Sequence, residues 1–189
     1  MKNITIFCGS NTGLDPKFQQ QALALGQYMA QHQQALIYGG SDIGLMHDVS
    51  HSMTAAGGEV IGVIPQIFVD RGQANPHLTQ LIQVADMSER KTKLIELADA
   101  FIVLPGGFGT FEELWQALSW SQLGLHHKPI AIFNIDGFFD PLVATLQQMI
   151  DSGFAPIANR DLLINATTIA EIYQGFANFH YQIANKYLN

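Results

Sequence analysis

The chain has a single cysteine, Cys8, so no internal disulfide framework staples it. Basic residues are scarce: nine lysines and arginines stand against sixteen acidic residues, for a formal charge of −7. That balance excludes a general nucleic-acid binder, which needs an excess of cations to neutralise phosphates. Long apolar runs are missing too. The N-terminal run ITIFC is short and broken by Gly9, which argues against a secretory signal or a membrane span of about 20 residues. These absences predict a cytoplasmic protein with neither a membrane nor a nucleic-acid partner. Apolar bulk, by contrast, is plentiful: 48% of 189 residues is enough for one domain, residues 1–189, to bury a full core.

Short apolar runs alternate with longer helical patterns. ITIFC, ALIY, EVIGVI, LIQVA, AFIVL and PIAIFNI are brief, rich in β-branched or aromatic residues and bounded by Gly, Pro or Asp, as buried strands are. Between them, Phe18, Ala22, Leu25 and Met29 recur at helical spacing, and so do Met46, Val49 and Met53. DPLVATLQQMIDSG predicts a further helix, DLLIN a short strand, and a closing helix starts near Thr168. The fold class is therefore α/β and Rossmann-like, a mostly parallel sheet with helices on both faces. QIFVDRGQANPHLTQ is the one long irregular connection, of the kind that often forms a binding loop.

Ligands of such sheets bind beyond the carboxyl ends of the strands, and three strand-end loops here are rich in glycine. They are CGSNTG with Gly9 and Ser10, GGSDIGLM with Gly39 and Gly40, and PGGFGT with Gly106, Gly107, Phe108, Gly109 and Thr110. The second nearly spells G-x-G-x-x-G, but Ser41 replaces the middle glycine, so it is weak support for a dinucleotide. Together the three loops predict a phosphate-bearing ligand held by backbone amides. In LPGGFGTFEE, Thr110 and Glu113 fit an S/T-x-x-E capping box, which gives Glu113 a structural role to weigh against a chemical one.

DMSERKTK places Arg90, Lys91 and Lys93 in the first turns of a helix starting near Asp86 to Ser88, where the helix dipole disfavours cations. A local rule broken without local compensation points to a site. Arg90, and Lys91 beside it, are candidates to contact a phosphate or a leaving group. Met46, directly behind the second Gly-rich loop, is a candidate to line a base pocket.

The motifs FCGS, YGGS-x-x-GLM, V-I-G-V-I-P, M-x-x-RK, LPGGFGTFEELW, the Trp120 to Gly124 stretch and KPIAIFNIDGFFDPL resemble those of the Lonely Guy family, from Cys8 to about Phe154. That family comprises cytokinin-activating phosphoribohydrolases, whose bacterial members were often mislabelled lysine decarboxylases. The resemblance implies a Rossmann-like homodimer that cleaves the N-glycosidic bond of a nucleoside 5'-monophosphate to free base and ribose 5-phosphate, with no metal or other cofactor. It also implies that Arg90 and Glu113 are the catalytic pair, that Gly106 to Thr110 cradle the phosphate, and that Met46, Lys91 and Glu112 contact the ligand. In that chemistry a carboxylate stabilises an oxocarbenium-like state or activates water, and a cation favours departure of the base. A non-catalytic nucleotide or molybdenum-cofactor carrier is the alternative, since fold does not fix function. A pyridoxal-phosphate decarboxylase has no sequence context here for its Schiff-base lysine.

The chain departs from the family pattern at Ser41 and His47, where glycines are usual, and at Gly72, where a nucleotide-holding Glu is usual. These departures bear on substrate identity and leave the pair intact. HDVSH, from His47 to His51, resembles the zinc motif H-E-x-x-H but lacks an apparent third ligand; it reads as a helical face, and no metal is expected. His126 and His127 suit a helix C-terminus, and nothing near Cys8 in sequence activates it as a nucleophile. Trp115, Leu118, Trp120 and Leu123 give one helix more apolar surface than solvent exposure suits, which predicts a homodimer interface.

Overall fold

A computed structural model describes residues 1–182. Seven strands form one sheet: β1 (Asn3–Phe7), β2 (Ala35–Tyr38), β3 (Glu59–Pro65), β4 (Gln80–Val84), β5 (Ala100–Val103), β6 (Ile130–Phe133) and β7 (Leu163–Ala166). The order is β4-β3-β2-β1-β5-β6-β7, and every pairing of these strands is parallel. The expected α/β class holds, with a sheet more uniform than "mostly parallel" implied. Winding runs outward in both directions from β1 and β5. Their carboxyl ends flank the topological switch point where such folds open a crevice.

The helices are α1 (Pro16–Gln31), α2 (Gly44–Ala55), α3 (Gln66–Asp70), α4 (Met87–Leu97), α5 (Phe108–Gln122), α6 (Asp140–Asp151) and α7 (Ile169–Asn178). Alternate strand residues feed two cores. Ile4, Ile6, Leu36, Tyr38 and Ile102 meet Leu25 and Met29 of α1, Val49 and Met53 of α2, and Ile172 and Phe176 of α7. On the other face Phe7, Ile37, Val63, Phe101 and Ile132 meet Leu94 of α4, Leu114 and Ala117 of α5, and Leu142 of α6. This is the period-2 signature of strands buried on both sides. The expected closing helix begins where Thr168 caps it, its hydroxyl accepting from Glu171 N at 3.2 Å.

Two expectations are corrected. The connection from residue 66 to 80 is not wholly irregular: it opens with α3, and Ala74 then makes an antiparallel bridge to Ser41. The PIAIFNI run is strand only from Ile130 to Phe133, because a 3-10 turn over Ile135–Gly137 takes its end, with Asp136 at φ 50°.

Helices α1 and α2 pack in close contact at Gly26. A Cβ there would stand 1.9 Å from Ser52 Oγ, which can rotate away, and 2.7 Å from the Val49 carbonyl oxygen, which cannot. Gly26→Ala should therefore destabilise the fold by about 1–3 kcal/mol, the usual range for overpacking. The measurement is a lower urea midpoint with an unchanged m-value.

Candidate active site

Two clefts open at the carboxyl ends of β1 and β5 and meet at Ser10 and Gly107. One, of about 200 Å³, is lined by Ile6, Cys8, Ser10, Gly39, Met46, Met87, Arg90, Gly107, Phe108, Gly109, Thr110, Glu112 and Glu113. The other, of about 190 Å³, is lined by residues 9–13, Phe18, Leu45, Pro105, Gly106, Gly107 and Phe138. A larger apolar groove of about 370 Å³ lies between α5 and α6, but among the described residues its only charged lining residue is Arg160. The smaller clefts hold the chemically competent groups.

Backbone proximity builds the crevice. Gly9 N donates to Pro105 O at 3.0 Å and Leu104 N to Phe7 O at 2.9 Å, while Leu45 N donates to Gly9 O at 3.1 Å. A side chain on Gly106 would strike Thr110 Oγ1 at 2.1 Å. The loops after β1 and β5 thus touch through glycines, and α5 starts where they touch.

The capping box is not formed. The N-cap of α5 is Gly107, no side chain caps it, and Thr110 lies buried in the third helical position. Two residues of α5, Phe108 and Gly109, therefore precede Thr110, because Gly107 already takes the extended cap conformation that Thr110 was expected to supply. Glu113 then falls in the second turn and has no backbone amide to satisfy. The amides of Phe108, Gly109 and Thr110 open the helix with no side-chain acceptor, as an anion site requires.

Helix α4 supplies the cations. Asp86 caps it, its Oδ1 accepting from Ser88 N at 2.8 Å and Glu89 N at 2.9 Å, and Glu89 Oε2 accepts from Ala85 N at 2.7 Å. The cations in its first turns are compensated across space: Arg90 Nη1 lies 3.4 Å from Glu113 Oε1, Lys91 pairs with Glu112, and Lys93 with Glu96. Arg90 and Glu113 are the enclosed pair, with side chains only 13% and 11% exposed. Arg90 Nε also donates to Val63 O at 3.1 Å. Its guanidinium rests so close to Gly39 that a Cβ there would fall 1.9 Å from Nη2. Glycine at 39 makes the slot for arginine at 90.

Burial pushes the Glu113 carboxyl from 4.5 up to about 7, with Arg90 and Lys91 pulling it down and Glu112 pushing it up. Cys8, enclosed in the same wall, has its thiol pushed up, first by burial and then by Glu113, which disfavours the nucleophilic thiolate.

The structure gathers most of the expected site. Ser10, Gly39, Met46, Arg90, Gly107, Phe108, Gly109, Thr110, Glu112 and Glu113 line the first cleft, and Gly9 and Gly106 the adjoining one. Gly40 and Lys91 line neither. Gly40, at φ 76°, instead packs against Ile64 and Val63 and accepts from Asn75 N, and Lys91 braces Glu112. Gly72 is exposed in a left-handed turn at φ 68° that ends α3, away from both clefts. The Val63 carbonyl and Asn75 carried no local sequence signal, and Met87, which lines the first cleft, was marked only as the first residue of M-x-x-RK. Among the described residues no group of three or more His, Cys, Asp or Glu gathers as a metal site.

Glu113 makes stability depend on pH. Its folded pKa lies above its unfolded value, so the unfolded chain releases a proton between 4.5 and about 7 that the folded chain retains. Its stabilising contribution is full below 4.5 and is lost as pH rises through about 7. Glu113→Gln cannot titrate. Thermal melts should show the variant gaining on wild type as pH rises through this window, with a constant difference above it.

The family model described as "Possible lysine decarboxylase" matches residues 46–176. Cytokinin riboside 5'-monophosphate phosphoribohydrolase LOG7 of Arabidopsis thaliana is 38% identical over 171 residues, covering 90% of this chain and 79% of that one. The enzyme named LOG from Oryza sativa subsp. japonica is 39% identical over 171 residues, covering 90% and 71%. Among solved structures, the molybdenum cofactor binding protein of Rippkaea orientalis aligns with a TM-score of 0.70 at 21% identity, over 92% of this chain and 94% of that one. The molybdenum cofactor carrier protein of Chlamydomonas reinhardtii gives 0.70 at 21%, over 94% and 99%. At that identity the two structures share the fold alone, whereas the family model and the two phosphoribohydrolases extend the likeness across most of the sequence. The chain belongs to the Lonely Guy family.

Proposed function

We propose that the protein hydrolyses the N-glycosidic bond of a nucleoside 5'-monophosphate, AMP or a cytokinin nucleotide, to free base and ribose 5-phosphate. The observation that carries this reading is the enclosed Arg90–Glu113 pair beside the uncapped start of α5. The amides of Phe108, Gly109 and Thr110 hold the 5'-phosphate, with the helix dipole favouring the anion. This places the ribose over Glu113 and Arg90.

The C1'–N bond breaks with its electron pair going to the base, leaving an oxocarbenium-like sugar that ionised Glu113 stabilises. Glu113 takes a proton from the attacking water as the water oxygen bonds to C1'. Arg90 offsets the negative charge that gathers on the departing base, which takes up the proton that Glu113 received from the water and so returns Glu113 to its ionised form. A carboxyl held at about 7 is ionised in a large fraction of molecules near neutrality and accepts a proton readily. No step requires a metal or another cofactor. Lys91 and Glu112 orient each other at the rim, and Met46 lines the wall of the same cleft.

The same reading includes one domain, a cytoplasmic location and a homodimer. No helix among the described residues is long and apolar enough to cross a membrane. Trp115 and Trp120 are partly buried against their own core, but Leu123 and Leu125 at the end of α5 stay exposed and extend an apolar surface suited to a second copy. Light scattering at micromolar concentration should give twice the 20.8 kDa chain mass, and a monomer mass would refute the dimer.

Incubation with AMP and chromatography for free adenine tests the reaction. Glu113→Gln should lower turnover by about two orders of magnitude with little change in nucleotide affinity. Glu112→Gln, which keeps the amide geometry at the rim, should cost far less. Near wild-type turnover in Glu113→Gln would favour a carrier that binds nucleotide without cleaving it.

A further inference from the structure

Asn75 is 6% exposed in the connection between β3 and β4, lies outside both clefts, and uses its whole amide group. Its Nδ2 donates to Tyr38 Oη at 3.0 Å and to Ser50 Oγ at 3.2 Å, and its Oδ1 accepts from His77 N at 2.9 Å. Its backbone N donates to Gly40 O at 2.9 Å, beside the Ser41–Ala74 bridge. One buried side chain thus ties the end of β2, the body of α2 and the returning connection.

These ties converge on Arg90. Gly39, next to the clipped Gly40, is the surface on which the guanidinium rests, and Gly40 itself packs on Val63, whose carbonyl accepts from Arg90 Nε. We propose that Asn75 is a positioning residue that fixes the Gly39–Gly40 turn beneath Arg90 and so sets the spacing of the Arg90–Glu113 pair. This inference rests on the proposed hydrolysis for its kinetic arm, and on geometry alone for its second arm. Without the Asn75 amide the backbone bond from residue 75 to Gly40 is no longer anchored through Tyr38 and Ser50, so the turn loosens under Arg90, while the amides at the start of α5 stay in place. The loss falls on the transition state rather than on phosphate binding.

Asn75→Ala should lower kcat for AMP by about 10- to 100-fold, the scale of a displacement near one ångström, with KM changed less than about threefold. Because Asn75 acts through Arg90, the same change made in Arg90→Ala should cost almost nothing further. Equal losses in both backgrounds would overturn the proposal and leave Asn75 a purely structural residue. Tyr38→Phe removes one partner and keeps the ring, so it serves if Asn75→Ala folds poorly, and it should show a smaller loss with the same dependence on Arg90.

The second arm needs no turnover. Arg90 holds the Glu113 carboxyl down, so a displaced guanidinium should raise the Glu113 titration midpoint in carboxyl carbon NMR by about half a pH unit or more. Asn75→Ala should show that rise, and Arg90→Ala should show no additional rise when Asn75 is also replaced. An unmoved midpoint overturns the proposal even if wild type releases no adenine. A wild type that releases none, with the midpoint raised as expected, overturns the hydrolase reading alone.

Discussion

A guanidinium lying on a backbone that has no Cβ is the contact from which the site is built. Arg90 reaches its place only because position 39 is glycine, and it stays there because Val63 offers a carbonyl on one side and Glu113 a carboxylate on the other. Three elements that are distant in sequence thus supply the slot: the end of β2, the end of β3 and the second turn of α5. A buried ion pair at 3.4 Å, without a close hydrogen bond, is poor value for stability, since desolvation opposes the attraction. The raised Glu113 carboxyl is the sign of that opposition, and a carboxyl so perturbed in a cleft marks a candidate functional group rather than a merely cohesive one.

The fold places this pair without strain at the pair itself. Positive φ appears at Gly40 and Gly44, which shape the turn after β2 and the start of α2, and neither Arg90 nor Glu113 departs from its helix. The candidate pair sits on rigid α4 and α5 while glycine-rich turns bring the uncapped amides of α5 close. Rigid elements hold catalytic geometry more closely than loops do.

Much of the architecture was legible in the sequence because strands buried on both faces are written as apolar runs, such as AFIV and IAIF. The candidate pair was legible for two different reasons. Three cations at a helix start broke a dipole rule, and the surrounding motifs matched a known family. The structure explains the broken rule by pairing each cation with an acid, two of them on α5. The capping assignment at Thr110 failed because S/T-x-x-E spacing says nothing about where the chain first turns helical, and here the helix already starts behind Gly107. Asn75 was illegible because its partners Tyr38 and Ser50 lie 37 and 25 residues away, and no local pattern encodes such a meeting. Gly72 looked like a missing acid, whereas its left-handed φ makes it the turn residue that ends α3.

The strand order carries a consequence for synthesis. Of the seven described strands β1 comes first in the chain and lies at the centre of the sheet, and its second neighbour, β5, begins only at Ala100. Asp99 just ahead of β5 accepts from the amides of Lys2 and Asn3 at 2.7 and 2.9 Å, joining the two ends of that span. A nascent chain shorter than this can build β1 to β4 with their helices, but one flank of β1 stays unpaired and apolar. The whole span from β1 to β5 must therefore leave the ribosome before β1 is paired on both flanks, and for that interval the central strand of the finished sheet is an open edge.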